Sequence, residues 1–220
     1  MTKEAKLVGT IIVIVLIVLG FGVFLMLRSP QNYANPTPAT DPKTREEAIE
    51  RETPNVRGKL DSAITVIEFA DVQCPACAAV NPSVNELFKE YGDRVKFIFR
   101  HYPLPQHQNA KTAADAVEAA GDQGKFWDML DALYAKQPEW ETLRDPKPVY
   151  RQIAKDLGLD AEKFDKALVG MVHRDRINQD ETDGSALGNP GTPTFYVNGE
   201  QVYGSGLSAV KQKIEEALKQ

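Results

Sequence analysis

The chain has 220 residues, of which 42% are hydrophobic and 26% are charged, so it has room for one globular domain and an accessory segment. Two large domains are disfavoured at this length. A formal net charge of −5 gives the chain no general attraction for phosphate backbones, so nucleic acid is a poor candidate partner.

The first predicted element is a membrane anchor at residues 7–27. This segment holds no charged residue and matches the roughly 20 residues that cross a bilayer. The apolar core of a cleaved signal peptide is shorter, about 7–15 residues, and no clear small-x-small cleavage site follows here. Lys3 and Lys6 precede the segment and Arg28 follows it, which favours a cytoplasmic N-terminus at residues 1–6. We therefore expect a single-pass protein of the cytoplasmic membrane with its body outside.

Residues 28–59 are predicted to be a linker. Prolines recur in its first half among polar side chains, which is typical of an extended spacer, and at about 3.1 Å per residue this part could span roughly 40 Å. Residues 43–52 contain helix formers and charge pairs, but Ala48 and Ile49 are their only apolar members. We predict a solvated helix or a disordered continuation of the linker here.

The folded domain is predicted to cover residues 60–220 and to open with a strand. The run AITVIEFA at residues 63–70 is rich enough in β-branched and aromatic side chains for a strand covered on both faces. A short loop then leads into a helical pattern over residues 74–91. Residues 95–102, VKFIFRHY, alternate as a second strand, so we expect a right-handed βαβ unit.

Helical patterns dominate residues 104–187, approximately, and strand character returns near the C-terminus. Apolar residues at three-and-four spacing in this block are more often core than ligand groove. After Thr192-Pro193 comes a strand, then Asn198-Gly199, a strong two-residue hairpin signal, and residues 207–220 predict a closing helix. The predicted fold is α/β, with a central mixed sheet flanked by helices and an inserted helical subdomain.

The cysteines of the chain are Cys74 and Cys77, in the sequence Cys74-Pro75-Ala76-Cys77. A thiol at the first turn of a helix faces unpaired N–H groups and the positive end of the helix dipole, which favours its thiolate. The thiolate is the attacking species in disulfide exchange, so we predict Cys74 as the nucleophile and Cys77 as the resolving cysteine. A purely structural disulfide is the weaker interpretation, because a loop this short contributes about 2 kcal/mol at most.

Zinc binding is the other common use of a Cys-x-x-Cys pair, but a structural zinc site needs four ligands. The sequence has no second cysteine pair, and His101, His107 and His173 lack the usual ligand spacing. We predict no metal and no cofactor beyond the redox-active disulfide of Cys74 and Cys77.

A buried strand, the segment EFADVQCPAC, a helical block and the segment GTPTFYVNG together resemble the DsbA-like branch of the thioredoxin superfamily. The resemblance covers roughly residues 60–220, and it implies a thioredoxin-like fold and protein thiol–disulfide oxidoreductase activity. It also implies that Pro193, after Thr192, is cis and lies against the active disulfide, where substrate docks. By the same resemblance Glu68 is a buried acid that exchanges a proton with the second cysteine.

The dipeptide between the cysteines, Pro75-Ala76, is expected to tune the redox potential. Strongly oxidising members of the family carry a histidine where this chain has Ala76, which can neither donate a hydrogen bond nor carry a charge. Extreme oxidising power is therefore not expected.

The leading functional hypothesis is an oxidase that passes the Cys74–Cys77 disulfide to exported proteins with free thiols. A membrane partner or a small oxidant would then reoxidise the pair. The alternatives are an extracytoplasmic reductase or isomerase, which the redox potential would distinguish, and a membrane-tethered binding or sensor module that the thiols only gate. A Cys74→Ser chain with full function would favour the last of these.

Overall fold

The computed structural model describes residues 41–202 and 206–219. The predicted anchor at residues 7–27 lies outside the described residues, as does the first part of the predicted linker. Within the two described ranges, no helix is both long enough and apolar enough to cross a membrane.

The described chain folds as a mixed sheet with helices on both faces. From residue 65 onward, the secondary structure follows the order that the sequence predicts. In chain order the elements are α1 (Pro42–Glu50), β1 (Val56–Gly58), β2 (Thr65–Ala70), α2 (Pro75–Tyr91), β3 (Lys96–His101), α3 (Ala110–Gly121), α4 (Phe126–Ala135), α5 (Gln137–Trp140), α6 (Lys147–Asp156), α7 (Ala161–Gly170), α8 (Arg174–Ala186), β4 (Thr194–Val197), β5 (Glu200–Gln201) and α9 (Leu207–Ala217).

The strands lie in the order β1-β3-β2-β4-β5. The central strand β2 runs parallel to β3, with Glu68 opposite Phe99, and antiparallel to β4, with Glu68 opposite Phe195. Strands β1 and β5 pair antiparallel with β3 and β4 and form the two edges. The turn between β4 and β5 is the predicted Asn198-Gly199 hairpin, in which both residues have positive φ.

Three apolar clusters hold helices against the sheet. One lies between the sheet and helices α2 and α9, and a second lies between the sheet, α1 and the segment that follows α8. The third and largest joins Phe99 and both cysteines to helices α3 to α7. Both faces of β2 and β3 are therefore covered, as the dense apolar pattern of β2 predicts.

The structure corrects the predicted linker at residues 28–59, because its second half belongs to the domain. Residues 43–52 are predicted to be a solvated helix or disordered linker, and the structure has a helix whose side chains are mostly exposed. It is nevertheless docked on the domain, because it is capped by Asp41 and buries Ala48, which is 2% exposed. Strand β1 then pairs with β3 inside the sheet. The domain therefore begins by residue 41 rather than at residue 60.

A buried ionic cluster fixes helix α1 and helix α8 against β3. Arg100, which is 0% exposed, forms ion pairs with Asp180 and Asp183 and donates to the carbonyl oxygens of Ala48 and Arg51. The alternation of β3 places Arg100 on the face opposite Phe99, and helices cover that face as well. Helix α8 therefore contributes charged partners as well as packing, which the apolar pattern of the sequence does not reveal.

Candidate active site

The two cysteines lie at the start of α2, directly after the carboxyl end of the central strand. Cys74 is the N-cap residue of the helix, with extended backbone angles, and Pro75 occupies the first turn, where its missing N–H has no cost. The backbone N–H of Cys74 donates to the carbonyl oxygen of Asp71 at 3.0 Å. Cys77, one turn further along, is 0% exposed, whereas Cys74 is 6% exposed. Both are free thiols, so the structure describes the reduced pair.

The environment of Cys74 favours its thiolate. Hydrogen bonding by the Cys77 thiol is the main cause that lowers the pKa of Cys74, to about 5. The side chain of Thr192 and the backbone N–H groups of Cys77 and Ala76 lower it further, while burial works in the opposite direction. The two backbone N–H groups are the unpaired donors of a helix N-terminus, as the sequence pattern predicts.

Cys77 has the opposite tendency, because burial strongly raises its pKa. Its hydrogen bond to Cys74 and the negative charges of Cys74 and Glu68 raise this pKa further. A backbone hydrogen bond from Asp71 is the contribution that lowers it. The pair therefore favours a thiolate at Cys74 and a neutral thiol at Cys77.

Glu68 is buried on the face of β2 that packs against α2. Burial raises the pKa of Glu68 from its ordinary 4.5 to about 7, and the positive charge of Arg57 partly offsets this rise. The carboxyl group is close enough to raise the pKa of Cys77 through its charge. Glu68 is therefore an acid whose proton is labile near neutral pH, beside the deeper thiol.

Arg57, on the edge strand β1, is the basic partner of this region. Its guanidinium group lies between the rings of Phe88 and Trp127, 4.3 and 4.0 Å from their centres, and donates to Asn85 at 2.9 Å. Burial lowers the pKa of Arg57. A cavity of about 10 Å³ touches both Arg57 and Glu68, which is room for about one water molecule.

The Thr192–Pro193 peptide bond is cis, in agreement with the expectation from the family resemblance. The carbonyl oxygen of Thr192 lies 3.5 Å from the Sγ atom of Cys74. Pro75 and Ala76 are exposed beside it. The structure thus brings the predicted residues from the helix start and the late loop together around one sulfur atom.

The loop between β2 and α2 contains a residue whose role the sequence analysis missed. The side chain of Asp71 is fully buried and its carboxylate accepts hydrogen bonds from the backbone N–H groups of Gln73 and Leu104 and from Nδ1 of His107. Its carbonyl oxygen accepts from the hydroxyl group of Tyr134. An acidic residue in a short loop after a buried strand was the only available signal in the sequence.

The three histidines each pair with a different carboxylate: His101 with Glu118, His107 with Asp71 and His173 with Asp122. Across residues 41–202 and 206–219, no group of three or more histidine, cysteine or acidic side chains is arranged to hold a metal ion.

Comparison with known proteins identifies the family. The thioredoxin family model matches residues 50–216. The chain belongs to the thioredoxin family. Within it, the chain falls in the DsbA-like branch.

Several solved structures share this thioredoxin fold. BdbD from Bacillus subtilis is 29% identical with a TM-score of 0.65, over 76% of this chain and 93% of BdbD. A thioredoxin-like oxidoreductase from Silicibacter pomeroyi is 25% identical with a TM-score of 0.66, over 79% of this chain and 98% of its own. The thiol-disulfide exchange protein alpha-DsbA2 from Wolbachia pipientis is 22% identical, with a TM-score of 0.68 over 80% and 92%, and supports the fold alone.

The curated relatives of this chain include longer proteins that are named as Na(+)/H(+) antiporters. The Na(+)/H(+) antiporter NhaA 3 of Salinispora tropica is 40% identical over 157 residues, and NhaA 1 of Salinispora arenicola is 39% identical over 159 residues. Both matches cover 71% of this chain but 23% of the relative, so the chain spans about a quarter of the length of these relatives.

Proposed function

We propose that this chain is an extracytoplasmic disulfide oxidase that donates the Cys74–Cys77 disulfide to exported proteins. The observation that carries the proposal is the unequal setting of two neighbouring thiols: Cys74 caps the start of α2, and Cys77 is 0% exposed. This setting lowers the pKa of Cys74 to about 5 and raises that of Cys77. A thiolate stabilised at neutral pH stabilises the reduced pair, which makes the corresponding disulfide a better oxidant. It also makes Cys74 a good leaving group.

In the oxidised enzyme, a substrate thiolate attacks the Sγ atom of Cys74 and breaks the bond to Cys77. Cys77 leaves as a thiolate and takes a proton, for which Glu68 is the nearby acid. A second substrate thiol loses its proton and attacks the substrate sulfur of the mixed disulfide, and Cys74 leaves as a thiolate. The substrate has then lost two electrons to the enzyme, which ends as a dithiol.

The acid role of Glu68 is supported by its pKa of about 7, since a donor near the working pH both holds and releases its proton. The cavity beside Arg57 would connect the carboxyl group to one water molecule. Arg57 offsets part of the burial effect and so keeps the Glu68 pKa from rising further.

Substrate docking is proposed at the rim formed by the exposed Pro75 and Ala76 and the half-buried Thr192 and Pro193. Beside this rim Cys74 keeps 6% of its surface exposed, while Cys77 is fully covered. An incoming protein would therefore exchange with Cys74 and not with Cys77.

A second candidate direction, reduction or isomerisation, is favoured by Ala76. Its methyl group adds no donor to the thiolate beyond the backbone N–H groups, so the pair is expected to be a moderate oxidant rather than an extreme one. A measured redox potential more reducing than that of the cytosolic glutathione pool would favour reduction or isomerisation over oxidation.

The proposed location is the outer face of the cytoplasmic membrane, with residues 7–27 as the anchor. In the antiporters from Salinispora, a segment similar to this domain is part of an ion transporter, which supports a position at the membrane. The proposed reoxidising partner is a membrane protein or a small oxidant that accepts two electrons from the dithiol.

Trapping tests the exchange chemistry. In Cys77→Ala the Cys74 thiolate can still attack a disulfide of an exported protein, but no Cys77 thiol remains to release the adduct. Mixed disulfides should therefore accumulate, seen as reductant-sensitive bands on non-reducing gels. Cys74→Ser should give none. Folded Cys77→Ala protein without adducts in cells would overturn the proposal.

A further inference from the structure

The loop that precedes Cys74 is fastened through the carboxylate of Asp71. This carboxylate is 0% exposed and accepts three hydrogen bonds: from Gln73 N at 2.7 Å, from Leu104 N at 2.8 Å and from His107 Nδ1 at 2.6 Å. Two of these donors belong to the loop after β3. The carboxylate therefore ties the active-site loop to a neighbouring loop that carries no cysteine.

The main chain of the same residue contacts both cysteines. The carbonyl oxygen of Asp71 accepts the Cys74 N–H at 3.0 Å, which sets the start of α2. A backbone hydrogen bond from Asp71 also acts on the Cys77 sulfur, and it stabilises the thiolate of Cys77 against the effect of burial. A shift of the Asp71 main chain would therefore alter the deeper sulfur as well as the helix start.

Other side chains support this loop from the far side. Gln73 accepts from Asn109 N at 2.6 Å and donates to the carbonyl oxygen of Glu141 at 2.8 Å, and Gln137 donates to the carbonyl oxygen of Val72 at 3.1 Å. His107 differs from these partners because 18% of its side chain is exposed. A substitution at His107 can remove one bond to Asp71 from the surface side.

We propose that Asp71 and His107 form a positioning pair that holds the main chain before Cys74 in the geometry needed for exchange between Cys74 and Cys77. The inference rests on the proposed function, since it concerns the rate of the same thiol chemistry. His107 does not touch substrate. It fixes the Asp71 carboxylate, and the Asp71 main chain in turn fixes the two sulfur environments.

Oxidised glutathione is a suitable probe of the step that this pair controls. The Cys74 thiolate attacks one sulfur of the probe, forms a mixed disulfide and releases one glutathione thiolate, which takes a proton. Cys77 then loses its proton and attacks Cys74, so that the Cys74–Cys77 disulfide forms and a second glutathione leaves. Two electrons pass from the dithiol to the probe, and two glutathione thiols result.

The experiment compares the lifetime of this mixed disulfide in the full chain and in three variants. His107→Phe keeps a ring but removes the donor, and His107→Asn keeps an amide N–H close to the position of Nδ1. His173→Ala is the matched control, because His173 is 17% exposed and pairs with Asp122 at 2.7 Å, away from the cysteines. Quenched samples are resolved by mass, and the equilibrium with glutathione is measured for each protein.

We expect the adduct to live about tenfold longer in His107→Phe, the change that corresponds to the loss of one charge-assisted hydrogen bond. The glutathione equilibrium should also shift toward the disulfide form, because the Cys74 thiolate loses support. His107→Asn and His173→Ala should remain near the wild type in both measurements. A normal adduct lifetime in His107→Asn would show that the donated hydrogen bond matters rather than the filling of space. This variant also decides the question if His107→Phe folds poorly. A long-lived adduct in His107→Asn contradicts the proposal.

A wild-type lifetime in folded His107→Phe overturns the positioning role alone. A wild-type chain that never resolves its adduct overturns the proposed function, and the positioning role with it. The two failures are therefore distinguishable in one set of measurements.

Discussion

At the scale of single residues, identical thiols acquire different chemistry from their positions on one helical turn. Cys74 receives the donors of the helix start, and Cys77 lies behind it in an apolar cluster with Phe99 and the helical block. The N–H groups of a helix N-terminus stabilise an anion, whereas burial without such donors favours the neutral thiol. Position on the helix, together with the hydrogen bond from the Cys77 thiol to Cys74, therefore separates the nucleophile from the resolving group.

Thr192→Val tests the contribution of the late loop to the thiolate. The Thr192 side chain is one of the groups that lower the Cys74 pKa, so its loss should raise that pKa above about 5. Thiolate absorbance in the far ultraviolet, followed against pH in the reduced chain, measures the change. An unchanged pKa would assign the whole effect to α2.

Glu68→Gln tests the buried acid through stability. Because the Glu68 pKa is raised to about 7 in the folded state, the folded chain binds one proton more than the unfolded chain between about pH 4.5 and 7. The stabilisation by the neutral carboxyl group is present below that window and is lost as the pH rises through it, by about 3 kcal/mol. Glutamine carries no such dependence.

Urea unfolding of the reduced proteins at about pH 4 and about pH 8 measures the difference. We expect Glu68→Gln to gain stability relative to the wild type as the pH rises, and to resolve mixed disulfides more slowly. If the stabilities of the two proteins changed with pH in the same way, the pKa of Glu68 would not be raised in the folded state.

The candidate site could be predicted from the sequence only in part. Cys74 and Cys77 follow from their spacing at a helix start, and Glu68 and Pro193 follow from the family resemblance. Asp71 could not be recognised, because its role depends on Leu104 and His107, more than thirty residues away. Arg57 was assigned to the linker, and it acquires a role only because β1 joins the sheet.

At the scale of elements, periodicity predicts the helices and strands that pack against segments nearby in the sequence. It fails for an element whose packing partner is distant in the sequence. The βαβ segment and the closing hairpin have strong local signals, and the structure places them within one or two residues of the predicted bounds. Helix α1 has a weak apolar pattern. Among the side chains of α1 that the structure describes, Ala48 is the one that is buried, and Arg51 at the end of the helix is bound by Asp183. Its docking depends on charges in α8, which no local pattern contains.

Ala48→Lys tests whether α1 is part of the folded unit. A lysine at this position, which is 2% exposed, would bury a charge or expel the helix, and the free energy of unfolding should fall by about 3 kcal/mol. Glu46→Lys introduces the same side chain at an exposed position of α1 and serves as the control. Equal urea midpoints for the two variants would mean that α1 does not contribute to the stability of the domain and belongs to the linker.

At the scale of the whole molecule, the orientation across the membrane is a prediction from charge. Lys3 and Lys6 should keep the N-terminus inside, so protease added to spheroplasts should digest the domain of the full chain. Replacing both lysines with glutamate weakens the bias and should leave a larger fraction protected. Complete protection of the unmodified domain would contradict the proposed location.

The two edges of the sheet have a consequence for the proposed exchange with exported proteins. β1 has three residues and ends at Gly58, whose φ of 90° breaks the extended backbone, and β5 has two residues. Long bare strands invite extended chains to add themselves by backbone pairing, which leads to aggregation. Edge strands this short offer few free N–H and C=O groups. A bound substrate can therefore be held at the sulfur atom of Cys74 and released, without its backbone pairing with the edge of the sheet.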